Sequence, residues 1–366
     1  MAVLWTPNNP VDTTHLYLLV MAGGSGTRFW PKSTAQRPKQ FLSFGRSGER
    51  LNASLLAQTI ARFDHWILPT KRMILTTQSL KAAVANENLG VEVLAEPMSR
   101  NTAPCLYWAT QVIYARDPKA VMIVVPSDHH IADTRKFIEV VKEAAHWAAE
   151  NDDLVTLGIR PTRPETGYGY LKTVSSFSAS GSTAQKVEAF VEKPTLEKAK
   201  TFLDSGDYLW NGGMFVWRAE VVLRAFNQWM PEMKSVWEQS GERIEKAYPQ
   251  MTATSIDYGV MEKAKNVVTF PLACGWDDLG SWTSLESLAD SLGTQQGANI
   301  VSDGSVLALD SSGNIVDAPG RFVTLLGVDD LIVVQQGETL LVARKDRAQE
   351  IRRVVDEVKK SRPDLA

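Results

Sequence analysis

The chain has 366 residues, 44% of them hydrophobic, enough for a sizeable core and for two or more domains. Lys and Arg number 39 against 42 Asp and Glu, a net charge of −3 that argues against broad binding to nucleic acid or anionic membranes. No apolar run approaches the ~20 residues of a membrane span, the N-terminus lacks the features of a signal peptide, and Cys105 and Cys274 have no metal-like or scaffold-like spacing, so a reducing cytoplasm is the default.

Residues 1–14, with Pro7, Asn8, Asn9 and Pro10, read as a loose arm. Leu16–Met21, Arg72–Thr76, Val91–Leu94 and Val121–Val125 then read as buried strands, because near-continuous Val, Ile and Leu suits a parallel sheet covered on both faces. Helices fall between them. Asn52–Phe63 carries Leu55, Leu56, Ile60 and Phe63 on one face; Asn101 caps a helix with Leu106, Ala109 and Ile113; Asp133 or Thr134 caps one with Phe137, Val141 and Ala145. Such alternation predicts an open, doubly wound α/β sheet, whose ligands sit at the carboxyl ends of its strands. From about Asp153 to Trp282 the pattern is mixed, with strands near Gly169–Val174, Gln185–Val191, Gly213–Trp217 and Val267–Pro271 that extend the same sheet and supply a second wall of one cleft. After about Gly293 come short strands separated by Asp-Gly, Ser-Gly and Asp-Asp turns, a texture that suits a small β domain coiled as a β-helix. Ile351, Val354, Val355 and Val358 close the chain on an amphipathic helix.

Four segments carry candidate chemistry. In "MAGGSGTRFWP", glycines after a strand free backbone N–H groups to turn around an anion. Gly23, Gly24 and Gly26 form such a nest, and Arg28 and Lys39 add charge for a polyphosphate; a tight surface turn with solvated cations fits the same spacing. The loop is neither G-x-G-x-x-G nor G-x-x-x-x-G-K-[ST]. In "VVPSDHHI", Asp128 follows a strand on the glycine-loop edge, as a Mg²⁺ ligand or as a plain turn aspartate. His129 and His130 are adjacent and point apart, which leaves them structural or supporting roles. In "FVEKP", Glu192 and Lys193 suit a sugar hydroxyl and a phosphate, or an exposed strand end. In "GWDDLGSW", two aspartates complete a metal site or form a turn stacked on aromatics.

Taken in order with "RPKQFL", "AEPMSRNTAP", "PETGYGYL", "NGGMF" and "SIDYGVMEK", these segments resemble the sugar-nucleotide pyrophosphorylases, and among them the mannose-1-phosphate guanylyltransferases, from Leu16 to the C-terminus. The resemblance implies a Rossmann-like mixed sheet of the GT-A-like kind over residues 15–290, and a short left-handed β-helix with a helix over 291–366 that mediates homodimerisation. It implies that GTP and mannose 1-phosphate give GDP-mannose and pyrophosphate with Mg²⁺ or another divalent cation. The loop Gly23, Gly24, Ser25, Gly26 and Thr27 then wraps the GTP phosphates, with Arg28 and Lys39 countering their charge. Glu96, Arg100, Asn101 and Thr102 match the guanine side, and Asp128 and Asp278 the two metal aspartates. Gly169, Glu192 and Asn211 match positions that receive the sugar, and Lys193 the one facing its phosphate.

Three departures stand out. Met21 replaces the usual Leu, a packing-neutral swap; Gly212 replaces a common Ser, which loosens a sugar contact; and Asp277 beside Asp278 allows the metal role to shift by one residue. Bacterial relatives often carry a further isomerase domain, and with the chain ending at Ala366 no isomerase activity is expected. Other readings stay open. Glucose 1-phosphate with UTP or dTTP is the nearest, against which stands Gln40; a non-catalytic nucleotide sensor and a Rossmann dehydrogenase are the others.

Overall fold

The computed structural model describes residues 12–24, 26–44, 53–174 and 182–365. Ser25 and most of the N-terminal arm lie outside them. The strands in chain order are β1 Leu16–Met21, β2 Arg72–Thr77, β3 Glu92–Glu96, β4 Val121–Pro126, β5 His130–Ile131, β6 Leu154–Ile159, β7 Gly169–Val174 and β8 Gln185–Glu192. They continue as β9 Tyr208–Arg218, β10 Val267–Leu272, β11 Trp276–Asp277, β12 Gln295–Gln296, β13 Asn299–Leu309, β14 Ile315–Leu326, β15 Leu331–Gln336 and β16 Thr339–Arg344.

The chain forms two compact units. The first holds a nine-stranded sheet of order β3-β2-β1-β4-β9-β6-β10-β8-β7. Its first four strands are parallel, with Met21 paired to both Leu75 and Pro126, so β1, β2 and β4 end level with one another. Tyr17 and Leu19 pack on the helix Thr102–Arg116 through Leu106, Tyr107 and Ile113. The alternate residues Leu16, Leu18 and Val20 are fully buried on the opposite face, as strand periodicity requires of a sheet covered twice. Both expected caps form: Asn101 Oδ1 accepts from Thr102 N at 2.9 Å, and Asp133 Oδ1 from Lys136 N at 3.0 Å.

The sheet is mixed because β9 runs antiparallel to both β4 and β6. The expected strand Gly213–Trp217 is longer, spanning Tyr208–Arg218. Asn211 and Gly212, outside that expected strand, lie inside β9, where an irregular register against β6 absorbs the extra backbone.

The second unit comprises the described residues of Gly24–Ala61, Ser127–Ala132 and Gly275–Ala366. Its parallel pairs β13–β14 and β14–β15 stack as a β-helix-like coil. Here an expected Asp-Gly break and a Pro-Gly pair outside the expected breaks both lie within strands. Asp303–Gly304 sits inside β13 at a register shift, and Pro319–Gly320 inside β14, where each turns the strand without ending it. Phe29, Trp30, Leu42 and Phe44 join Trp282, Ile315, Ile332, Ile351 and Val355 in one core.

Lys32 Nζ meets the buried Asp317 of β14 at 2.6 Å within this unit. Burial pushes the Asp317 carboxyl up and Lys32 opposes it. Lys32→Met strands that carboxylate, and the expected destabilisation is about 3–5 kcal/mol. Adding Asp317→Asn restores most of it. Denaturant midpoints of both variants measure this; a single variant as stable as wild type would refute the pairing argument.

Candidate functional site

Two clusters of the expected residues form, one in each compact unit. In the second unit, a cavity of about 260 Å³ is lined by Gly26, Thr27, Arg28, Lys39, Asp128 and Asp278, together with His129, Gly280 and Arg352. The short antiparallel pair β5–β11, with Trp276 opposite Ile131 and Asp277 opposite His130, holds side by side the two segments that carry the aspartates. Gly26 sits at φ 51°, and a Cβ there would lie 2.5 Å from Lys39 N. Only glycine lets the loop pass so close to the second segment. Gln40, almost fully buried, donates to Gly24 O at 3.3 Å; its observed task is to hold the loop.

Lys39 is the charged centre of the cavity. Its Nζ contacts Asp128 Oδ2 at 2.8 Å and donates to the backbone carbonyl of Asp278. Burial pushes the Asp128 carboxyl up, but Lys39, His129 and hydrogen bonds together outweigh it and hold the group below the usual range. Arg28 reaches Gly280 O at 3.5 Å and stays exposed. Asp277 and Asp278 part company as adjacent residues should. Asp277 is buried and accepts from Leu279 N at 2.7 Å and Ser287 Oγ at 3.3 Å, a turn-holding role, whereas Asp278 lines the cavity. His129 accepts from Trp276 Nε1 at 3.1 Å, and His130 meets Ser291 Oγ at 3.2 Å, so the two do take separate structural roles.

In the first unit, Gly169 of β7 pairs with Glu192 of β8. A Cβ on Gly169 would lie 2.5 Å from Glu192 Oε2 and 3.3 Å from Asn211 Cβ, so its absence lets these two side chains converge. Lys193 turns the chain at φ 49° and meets Glu192 Oε1 at 3.1 Å. Two acids that sequence reasoning left without a role join them. Asp257, on a π-helical turn, accepts from Asn211 Nδ2 at 2.9 Å, and Glu262 accepts from Glu192 N at 2.8 Å. Both lie in "SIDYGVMEK", a segment noted for its resemblance alone. Burial first, then the nearby Glu192, pushes Asp257 up to about 7. A Cβ on Gly212 would come within 2.9 Å of Leu157 O, a packing constraint at that position.

The third expected group also lies in the first unit. Glu96 ends β3 beside Gly23 and accepts from Tyr248 Oη, and burial pushes it up to about 7. Arg100 donates to Met251 O at 3.0 Å, and Thr102 Oγ1 accepts from Ile256 N at 2.8 Å. Asn101 spends its side chain on the helix cap. These three therefore pin the segment, and only Glu96 among the four is held mainly by another side chain.

Among the described residues no group of three or more His, Cys, Asp or Glu is placed to hold a metal ion. Apart from the His129 ring, which accepts from Trp276, the cavity's donors include the carboxylates of Asp128 and Asp278 and the Asp278 carbonyl, all oxygen. That set fits a hard divalent cation that completes its shell with water and phosphate oxygens.

Several comparisons bear on these clusters. Residues 17–295 match the family model described as nucleotidyl transferase, and residues 304–358 the one described as MannoseP isomerase/GMP-like beta-helix domain. The chain is 36% identical over 356 residues to the xanthan biosynthesis protein XanB of Xanthomonas campestris pv. campestris, covering 93% of this chain and 73% of that protein. It is 35% identical over 364 residues to the mannose-1-phosphate guanylyltransferase ManC of Salmonella typhimurium, covering 94% and 74%. A crystal structure described as mannose-1-phosphate geranyltransferase from Thermus thermophilus is similar at a TM-score of 0.83 and 32% identity, over 94% of this chain and 99% of that one.

Asp257 and Glu96 make stability depend on pH. Their folded values are raised, so the stability of each protonated form is present below about 4 and is lost as pH rises through about 7. Relative to wild type, the unfolding midpoint of Asp257→Asn should climb between about pH 4 and pH 7, with a total on the order of a few kcal/mol. Parallel pH profiles for the two proteins would remove the buried-acid account.

Proposed function

Because the chain belongs to the nucleotidyl transferase family, we propose that it is a mannose-1-phosphate guanylyltransferase, transferring GMP from GTP to α-D-mannose 1-phosphate and releasing pyrophosphate. The observation that carries this reading is the cavity in which Arg28, Lys39, Asp128 and Asp278 meet the glycine loop. Relatives named for this reaction support the choice of substrates.

The physical problem is the approach of two anions. At ~4 Å a pair of like unit charges costs about 4 kcal/mol at an effective dielectric near 20. In this reading Gly23, Gly24, Ser25, Gly26 and Thr27 wrap the triphosphate, and Arg28 and Lys39 neutralise it. Glu96, Arg100, Asn101 and Thr102 serve the guanine side. Gly169, Glu192 and Asn211 receive the sugar hydroxyls, and Lys193 faces the sugar phosphate. A sugar-phosphate oxygen attacks the α-phosphorus in line and pyrophosphate leaves, with no covalent enzyme intermediate. Family members generally use a divalent metal; here Asp128 and Asp278 would hold Mg²⁺, which supplies charge neutralisation on the phosphate oxygens. Residues 15–290 act as the catalytic domain, and the compartment is the cytoplasm, consistent with Cys105 and Cys274 both being free thiols. No helix among the described residues is long and apolar enough to cross a membrane.

Pyrophosphate release across a grid of nucleotides and sugar 1-phosphates tests the proposal. GTP with mannose 1-phosphate should dominate and fail in EDTA; preference for UTP or dTTP with glucose 1-phosphate, or no turnover, would reject it. In the same assay Asp278→Asn should lower kcat by at least about 100-fold, and Lys193→Ala should act mainly on the sugar-phosphate KM.

Residues 291–366 are assigned to homodimerisation. On the coil, Val306 and Ala308 of β13 pack inward, while Leu307 and Leu309 face out with Phe322, Leu326, Leu340 and Val342, each 45–69% exposed. A strand apolar on both faces is expected to have both covered. Sedimentation should give a dimer that Phe322→Glu dissociates, and a monomeric wild type at all concentrations would discard the assignment.

A further inference from the structure

The C-terminal helix Ile351–Ser361 packs against the turn Thr27–Phe29 that follows the glycine loop. Ile351 and Val355 sit in one core with Phe29 and Trp30, and Trp30 Nε1 donates to Leu365 O at 2.8 Å beyond the helix. This anchoring fixes the helix face between Ile351 and Val355. Arg352, on that turn of helix, lines the phosphate cavity with Thr27, Arg28, Lys39, Asp128 and Asp278.

The charges around Arg352 are engaged with one another. Arg347 and Arg353 pair with Glu350, Lys360 with Glu357, and Arg362 with Glu338. Arg352 has no ion-pair or hydrogen-bond partner among the described residues, although Glu350 is two positions away. Arg28, Lys39 and Arg352 give the cavity wall three positive charges against the two carboxylates of Asp128 and Asp278, a surplus of one. An exposed guanidinium with five donors, aimed into an oxygen-lined cavity of net positive charge, is suited to an anion with several oxygens.

We infer that Arg352 is a phosphate-binding residue of the nucleotide site, contacting the β,γ-phosphates of GTP and the pyrophosphate they become. The inference deepens the guanylyltransferase reading and rests on it. Recognition of the leaving group is thereby assigned to a residue on the amphipathic helix Ile351–Ser361, which the resemblance gives only a part in dimerisation. Its signal in the sequence is weak, because one arginine in "EIRRVVDEVKK" is indistinguishable from its neighbours. Only the fold separates Arg352, which lines the cavity, from Arg353, which pairs on the surface.

The test uses Arg352→Ala, Arg352→Lys and, as the surface control, Arg353→Ala in the full chain. Kinetics are measured in both directions, and inorganic tripolyphosphate binding by calorimetry. Arg352→Ala should raise KM for GTP, and for pyrophosphate in reverse, by about tenfold, one lost charge-assisted pair. KM for mannose 1-phosphate should change little, Arg352→Lys should recover part, and Arg353→Ala should match wild type. Tripolyphosphate affinity should fall in parallel. Wild-type values for Arg352→Ala in kinetics and calorimetry, or equal losses in Arg353→Ala, overturn the inference while leaving the proposed reaction intact. A protein that turns over no sugar phosphate, yet loses tripolyphosphate affinity only on substitution of Arg352, supports this phosphate site and rejects the reaction.

Discussion

One ammonium group organises the cavity beside the glycine loop. Lys39 is 7% exposed, and a cation so enclosed must be compensated. It is compensated by the Asp128 carboxylate and the Asp278 carbonyl, which ties together two segments far apart in the chain. The same proximity constrains the glycine loop, because Gly26 passes against the Lys39 backbone. Lys39, with His129 and hydrogen bonds, also holds the buried Asp128 below the usual carboxylate range, so that it remains an acceptor. Oxygen acceptors of that kind are what a hard cation or a phosphate-bound water requires.

The carboxyl cluster of the other unit follows the opposite electrostatic logic. There burial and the nearby Glu192 outweigh Lys193 and the Asn211 hydrogen bond, and carry Asp257 towards neutrality at about 7. A protonated carboxyl donates as well as accepts. Glu192, paired with Lys193, accepts only. Hydroxyl groups need both functions from their surroundings, whereas phosphates need cations and N–H donors. The two clusters thus differ in the chemistry they can bind for reasons visible in their burial and pairing alone.

Much of this was legible in the sequence where local rules dominate. β1 begins and ends where its apolar run does, and Asn101 and Asp133 cap their helices. The glycines, Arg28, Lys39 and Asp128 could be read as a phosphate site from residue type and position after a strand. What could not be read depends on long-range approach. The strand read at Gly213–Trp217 extends back through Asn211 and Trp210 only because β6 holds them in register. Asp257 looks like a turn acid until Asn211 donates to it. Asp277 and Asp278 are interchangeable in sequence, and only the bonds from Leu279 and Ser287 distinguish them.

The compact units do not follow chain order, and the reason lies in the glycine-loop segment itself. Phe29, Trp30, Leu42 and Phe44 follow a polar loop within about twenty residues of the first strand, and four large apolar side chains need a core. They find it among Trp282, Leu285, Ile315, Ile332 and Ile351, not in the nine-stranded sheet. The stiffness of the glycine loop is therefore supplied by the packing of the C-terminal coil and its last helix. A loop that must hold backbone N–H groups against an anion gains from such an anchor, since preorganised donors lose less freedom on binding. The β coil, on this account, contributes to the phosphate site by holding its loop in place, independently of any part it plays in assembly.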